Sequence, residues 1–128
     1  PPFPASLVIS FIAGIGEEIM FRLFFISFWV WVISSVILRK KWQSQVFRIV
    51  AALSALLFAV GHYPSLMIIF GFKSIASIPL VFQVEIILLN GVFGIFAAHY
   101  FRKYGFLAAV SIHLWTDIIW HVLCGFNK

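Results

Sequence analysis

Four long apolar runs constrain the fold of this chain more than any other feature of its sequence. They cover residues 7–38, 46–62, 79–99 and 106–124, each near or above the length of a membrane span. About 20 apolar residues in a helix cross the roughly 30 Å hydrocarbon core of a bilayer. Only helices and closed barrels satisfy their backbone hydrogen bonds there. We therefore expect an all-α fold, a multi-pass transmembrane helical bundle.

The composition supports a membrane protein rather than a soluble one. Of the 128 residues, 63% are hydrophobic and only 10% are charged, and the mean hydropathy is +1.10. Soluble domains are much less apolar and much more charged. We predict one transmembrane helical domain over residues 1–128. The chain opens Pro-Pro-Phe-Pro without methionine, so we expect a fragment that lacks N-terminal helices.

The basic residues indicate the orientation in the membrane rather than a nucleic-acid partner. The net charge of +5 would suggest nucleic-acid binding in a soluble protein. Here most basic residues lie in the gaps after the first and third apolar runs, which the positive-inside rule makes cytoplasmic. These residues are Arg39, Lys40, Lys41, Arg102 and Lys103, and Arg48 lies at the start of the second run.

Three charged residues, Glu17, Glu18 and Arg22, interrupt the first apolar run. Each charge at the centre of a bilayer costs about 2.5–3.5 kcal/mol on insertion scales. On a helix Glu18 and Arg22 are i, i+4 neighbours and can form an ion pair. Glu17 points about 100° away and has no basic residue one turn from it. The stretch is thus either a structural ion pair with a second carboxylate or part of a functional site.

Two further pairs of polar or aromatic residues occur in later runs. Phe58 and His62 are i, i+4 neighbours, as are His113 and Asp117. A rise of about 1.5 Å per residue places Glu17, His62 and Asp117 at similar depth in the membrane. A carboxylate beside an imidazole can also fix its tautomer. Each histidine alone could be a hydrogen-bonded packing residue, but together these residues predict a site.

The order of the three motifs resembles the CPBP family of intramembrane proteases, also called the Abi or CAAX-protease family. The motifs are Glu-Glu-x-x-x-Arg at residues 17–22, Phe-x-x-x-His at 58–62 and His-x-x-x-Asp at 113–117. The family includes the Ras-converting CAAX prenyl endopeptidase. The resemblance implies a multi-pass enzyme of a bacterial-type plasma membrane. Its expected partners are the lipid bilayer and a membrane-associated peptide or protein substrate.

The resemblance implies hydrolysis of peptide bonds in membrane-associated or prenylated substrates by a glutamate-activated water. It assigns Glu17 as the general base, helped by His62, and it gives Glu18 with Arg22 the role of orienting that base. No cofactor is implied. The catalytic residues that it carries over are Glu17, Glu18, Arg22, Phe58, His62, His113 and Asp117.

The same resemblance implies that His113 and Asp117 hold the oxyanion. The CAAX enzymes have Asn at the position of Asp117. Many bacterial members of the family have Asp there, as this chain does. An ionised Asp only accepts hydrogen bonds and repels an oxyanion. Asp117 is therefore expected either to be protonated, as burial favours, or to remain ionised and orient His113.

Two other functions fit the same residues. Glu17, His62 and His113 could bind zinc and leave one position open for water, as in a metal-dependent hydrolase. The chain lacks a His-Glu-x-x-His sequence, however, and the resemblance favours catalysis without metal. Alternatively, the residues could form a proton or cation relay in a transporter subunit.

Overall fold

The structure, a computed structural model, describes residues 3–123. This part of the chain is helical, which confirms the predicted all-α class. We number the helices in chain order. They are α1 (Ala5–Ile37), α2 (Gln43–Val60), α3 (Tyr63–Phe70), α4 (Leu80–Tyr104) and α5 (106–123), with a short 3₁₀ turn at Ile75–Ser77.

Three helical stretches of the described chain are long and apolar enough to cross a membrane. They are Ala5–Ile37, Gln43–Phe70 and Leu80–Tyr104. The fourth predicted run, 106–124, forms α5 up to residue 123, and its last residue lies outside the described part. Each predicted run therefore corresponds to a helix. Three helical stretches of the described chain have the length and hydropathy of a membrane span.

Helix α1 is continuous through Gly14 and Gly16. It contains π-helical segments at Ile19–Ile26 and Trp31–Ile37, whereas Ala5–Glu18 is α-helical. Glycine is tolerated in membrane helices, where small residues let neighbouring helices approach. Gly14 has this role, because a Cβ atom there would lie 3.3 Å from the backbone nitrogen of Leu114 in α5.

The buried residues of α1 recur at every fourth position over its first six turns. In an ideal α-helix a step of four residues overshoots a full turn by about 40°. A π-helical turn contains more residues, since its hydrogen bonds run from i to i+5, and it therefore offsets this drift. The stripe begins with small residues and continues into the charged motif. It consists of Ser6, Ser10, Gly14, Glu18, Arg22 and Ile26.

The chain forms two compact units, which we describe separately. Unit 1 comprises the described parts of Pro1–Phe28 and Ala97–Lys128, and unit 2 is Trp29–Phe96. In unit 1 the first part of α1 packs against α5. In unit 2 the segment Trp31–Ile37 packs against α2, whose buried side is made mainly of small and aliphatic residues.

The break between α2 and α3 differs from the sequence prediction. We expected the second run to end at His62, before Pro64. Instead α2 ends at Val60 and α3 begins at Tyr63, with Pro64 in its first turn. Proline is favoured in the first turn, because an amide hydrogen at this position would have no partner within the helix. Helix α3 ends at Phe70 and is followed by Gly71, whose φ of 72° is a common helix-terminating conformation.

The close approach at Gly14 leads to a stability prediction. Substitution Gly14→Val should push α1 and α5 apart, because even a Cβ atom would contact the Leu114 backbone at 3.3 Å. Overpacking of this kind costs about 1–3 kcal/mol. The measurement is thermal unfolding in detergent. Gly16→Val is the matched control, since a Cβ at Gly16 meets nothing within 4 Å. Equal melting temperatures for the two variants would contradict this packing.

Candidate active site

Glu18 is the centre of a buried polar cluster in unit 1. Its Oε1 atom lies 2.9 Å from Nη1 of Arg22 and 2.8 Å from Nδ1 of His113. The three side chains are 0%, 1% and 5% exposed, respectively. The Glu18–Arg22 ion pair expected from the i, i+4 spacing is confirmed. The contact with His113, which is 95 residues further along the chain, was not predicted.

The packing of α1 on α5 explains how this contact forms. Gly14, one turn before Glu18, allows the backbone of Leu114 to come close. Leu114 follows His113 directly, so the same approach places the imidazole beside the carboxylate. A buried charge without partners is strongly destabilising, whereas a paired and hydrogen-bonded one is tolerated. The apolar surroundings therefore favour a geometry in which Glu18 has two partners.

The hydrogen bond to Glu18 fixes the orientation of the His113 ring. A carboxylate paired with Arg22 accepts hydrogen bonds, so Nδ1 of His113 is the donor. The other ring nitrogen, Nε2, faces two further carboxylates. It lies 3.7 Å from Oε2 of Glu17 and 3.8 Å from Oδ2 of Asp117. Both distances are longer than a direct hydrogen bond.

The structure adds a second residue that can orient His113. Asp117 was a candidate for orienting His113, because the two residues are i, i+4 neighbours. In the structure Glu18 contacts Nδ1 and orients the ring, while Asp117 lies near Nε2. The helical spacing correctly placed Asp117 beside the ring. It carried no information about which nitrogen would meet the other helix.

Exposure distinguishes the two adjacent glutamates. The side chain of Glu17 is 36% exposed, and that of Glu18 is 0% exposed. Successive residues of a helix point about 100° apart, so one can face the helix interface while the other faces its edge. Glu17 is therefore the more exposed of the two carboxylates, although its Oε2 atom, which faces His113, is buried.

Both helices that form the cluster change their hydrogen-bonding pattern next to it. The α-helical part of α1 ends at Glu18 and is followed by the π-helical segment Ile19–Ile26. In α5 the α-helical part ends at Asp117 and is followed by Ile118–Leu123, also π-helical. Such segments are rare and are frequently found at functional sites. Their positions support this cluster as the candidate site.

Phe58 and His62, the remaining candidates, form a pair of their own in unit 2. Nδ1 of His62 lies 2.8 Å from the Phe58 carbonyl oxygen, and the two rings meet edge to face with centroids 4.8 Å apart. A carbonyl oxygen only accepts, so Nδ1 is the donor and Nε2 is the acceptor of the neutral ring. Phe58 is 2% exposed and lies 5.8 Å from the Phe93 ring.

Metal binding was considered for Glu17, His62 and His113. Within residues 3–123, no group of three or more His, Cys, Asp and Glu side chains is arranged to hold a metal ion. Of these three residues, Glu17 and His113 belong to unit 1 and His62 belongs to unit 2. The shared depth of these residues in the membrane stays a prediction.

The sequence was compared with protein families, curated proteins and solved structures. Residues 1–119 match the family model described as "Type II CAAX prenyl endopeptidase Rce1-like". The match includes all the candidate residues of both units. No curated protein and no solved structure matches. Because the family model covers most of the chain, this protein belongs to the Rce1-like family of type II CAAX prenyl endopeptidases.

Proposed function

We propose that this integral membrane protein hydrolyses peptide bonds of prenylated, CAAX-type substrates with a water activated by Glu17. Family membership supports a membrane-embedded protease with membrane-associated substrates. The observation that carries the mechanism is the contrast between the two glutamates, since Glu17 is 36% exposed and Glu18 is buried and paired. The proposed location is a bacterial-type plasma membrane, because many bacterial members of the family have Asp at the position of Asp117.

In this mechanism Glu17 is the general base. The water oxygen attacks the carbonyl carbon of the scissile bond, and one water proton passes to the Glu17 carboxylate. The proton is then available for the departing amine. Glu18 is less suited to this role, because its Oε1 already contacts Arg22 and His113. A positioned carboxylate of this kind contributes about 10²–10⁴-fold to the rate.

His113 is proposed to stabilise the oxyanion through Nε2. Because Nδ1 donates to Glu18, Nε2 carries a proton only when the ring is an imidazolium. Carboxylate oxygens of Glu18 and Glu17, at 2.8 and 3.7 Å from its nitrogens, compensate that charge. The role of the Glu18–Arg22 pair is accordingly to hold His113 in place, rather than to orient the base.

Asp117 is proposed to act as a neutral hydrogen-bond donor. The alternative, in which an ionised Asp117 orients His113, is disfavoured because Glu18 occupies Nδ1. A protonated carboxylic acid can donate one hydrogen bond, which is also what the Asn of the CAAX enzymes provides. The Asp117 side chain is only 15% exposed and lies 3.8 Å from Nε2 of His113, so a neutral Asp117 would donate beside that nitrogen.

His62 is proposed to assist the base, a role that rests on the sequence motif. Its Nδ1 donates to the Phe58 carbonyl, so the Nε2 atom of the neutral ring is able to accept a hydrogen bond from water. The same tautomer suits a metal ligand. A zinc-dependent mechanism is therefore the second candidate.

Glu17→Gln is expected to fold and to lose at least about 100-fold in kcat, because an amide cannot take a proton from water. The assay is cleavage of a farnesylated CAAX peptide, followed by mass spectrometry of the products. Glu85→Gln is the matched control. It replaces a glutamate of α4 that lies in unit 2 and outside the motifs. Substantial turnover by Glu17→Gln would reject Glu17 as the base.

The same assay distinguishes the zinc mechanism. Prolonged treatment with a strong chelator should leave the activity of the unmodified protein unchanged, with no stoichiometric zinc in elemental analysis. Loss of activity that returns with added zinc would favour the metal-dependent hydrolase. In that case Glu17→Gln should also bind less zinc, because it removes a ligand.

Glu18→Ala should lower both stability and kcat. The substitution leaves the buried Arg22 and His113 without this carboxylate, and breaking a buried pair costs about 3–5 kcal/mol. Thermal unfolding in detergent measures the loss. The double variant Glu18→Ala/Arg22→Ala should be less destabilised than the sum of the two single variants, since residues in contact are not additive. Equal melting temperatures for Glu18→Ala and the unmodified protein would contradict the buried cluster of Glu18, Arg22 and His113.

Asp117→Asn should retain most of the activity, whereas Asp117→Ala should lose about 10²-fold in kcat, the usual cost of one oxyanion donor. A protonated Asp117 ionises as pH rises and then no longer donates, while Asn stays neutral. The activity ratio of Asp117→Asn to the unmodified protein should therefore rise with pH. An inactive but folded Asp117→Asn, or a ratio that falls with pH, would reject the neutral donor.

A further inference from the structure

The turn between α1 and α2 has a backbone conformation that its residues rarely adopt. Arg39, Lys40 and Trp42 have φ angles of 51°, 66° and 60°. This left-handed region is favoured by glycine and, to a lesser extent, asparagine. The chain instead has large basic and aromatic side chains there. Unfavourable backbone geometry of this kind is often found where a segment binds a ligand.

Ser34 holds this turn in place from the last part of α1. Its hydroxyl donates to the Lys41 carbonyl oxygen at 3.1 Å, and its own carbonyl accepts the Lys40 amide at 2.8 Å. Ser34 is 1% exposed. The backbone of the turn is therefore fixed at both positions by one buried residue. We call residues 39–42 the basic turn.

The basic turn has a high local positive charge. Its three basic side chains are exposed, as is Arg48 in α2. The sequence has no Asp or Glu between residues 19 and 84, so no acidic neighbour along the chain offsets these charges. Trp42 is 64% exposed. The turn begins soon after the apolar span Ala5–Ile37 ends, where a tryptophan is typical of the membrane–water interface.

We propose that the basic turn binds the headgroup of an anionic phospholipid. The guanidinium and ammonium groups of Arg39, Lys40 and Lys41 would contact the headgroup phosphate, and the Trp42 ring would lie in the interface. This inference is independent of the peptidase reaction. Each basic residue near an anionic membrane surface contributes about a fivefold increase in affinity.

The test is native mass spectrometry of the full chain in neutral detergent, with added phosphatidylglycerol or phosphatidylcholine. The unmodified protein should retain phosphatidylglycerol preferentially. The triple variant Arg39→Gln/Lys40→Gln/Lys41→Gln should bind it about 100-fold more weakly. Circular dichroism checks that the helical content is unchanged.

A matched control removes the same amount of charge from other parts of the chain. The variant Lys73→Gln/Arg102→Gln/Lys103→Gln also loses three positive charges, so its net charge equals that of the first triple variant. It should retain phosphatidylglycerol like the unmodified protein. An equal loss in both triple variants would show that net charge alone determines binding and would overturn the proposal.

Two single variants test the turn without removing most of its charge. Lys40→Gly suits a φ of 66°, so it should raise the melting temperature without lipid and yet weaken phosphatidylglycerol binding about fivefold. Ser34→Ala keeps every charge but removes the hydroxyl that bonds to Lys41, and it should also weaken binding. These variants remain informative if the triple variant does not fold.

Three outcomes would overturn the proposal. The first is unchanged phosphatidylglycerol affinity in the folded variant Arg39→Gln/Lys40→Gln/Lys41→Gln. If that variant does not fold, the corresponding outcome is unchanged affinity in both Ser34→Ala and Lys40→Gly. The second is equal retention of phosphatidylcholine and phosphatidylglycerol by the unmodified protein. The third is displacement of phosphatidylglycerol by an equimolar amount of inorganic phosphate, which would indicate a site for free anions.

Discussion

The Glu18 carboxylate is the interaction on which the site in unit 1 depends. A charge within an apolar membrane segment is tolerated when it is paired, and Oε1 of Glu18 has Arg22 at 2.9 Å and His113 at 2.8 Å. One partner comes from the same helix and the other from α5. The electrostatic requirement of a single buried carboxylate therefore links two helices that are far apart in the sequence.

That requirement also gives the adjacent glutamates different surroundings. Glu18 is enclosed and lies between Arg22 and His113. Glu17, the next residue of the same helix, is 36% exposed. A small residue makes this possible, because Gly14 lets the backbone of Leu114 in α5 approach α1 closely.

The apolar segments and the basic turn follow from the same cost of charge in a membrane. Within α1 a charge has to be neutralised by protein groups, so Arg22 lies against Glu18. After Ile37, where the span ends, basic side chains can instead be exposed to water and to lipid headgroups. In both places a buried residue holds the arrangement, Glu18 in the site and Ser34 in the basic turn.

The sequence alone determined the features that depend on local geometry. Apolar length predicted the membrane helices, and the i, i+4 spacing predicted the Glu18–Arg22 pair and placed Phe58 and His62 on one face. It could not predict which ring nitrogen of His113 meets Glu18, because that depends on how α1 packs on α5 at Gly14. Nor did it show the π-helical segments after Glu18 and Asp117. Only the tertiary structure decided these points, since helical periodicity fixes neighbours within a helix but not the rotation of one helix against another.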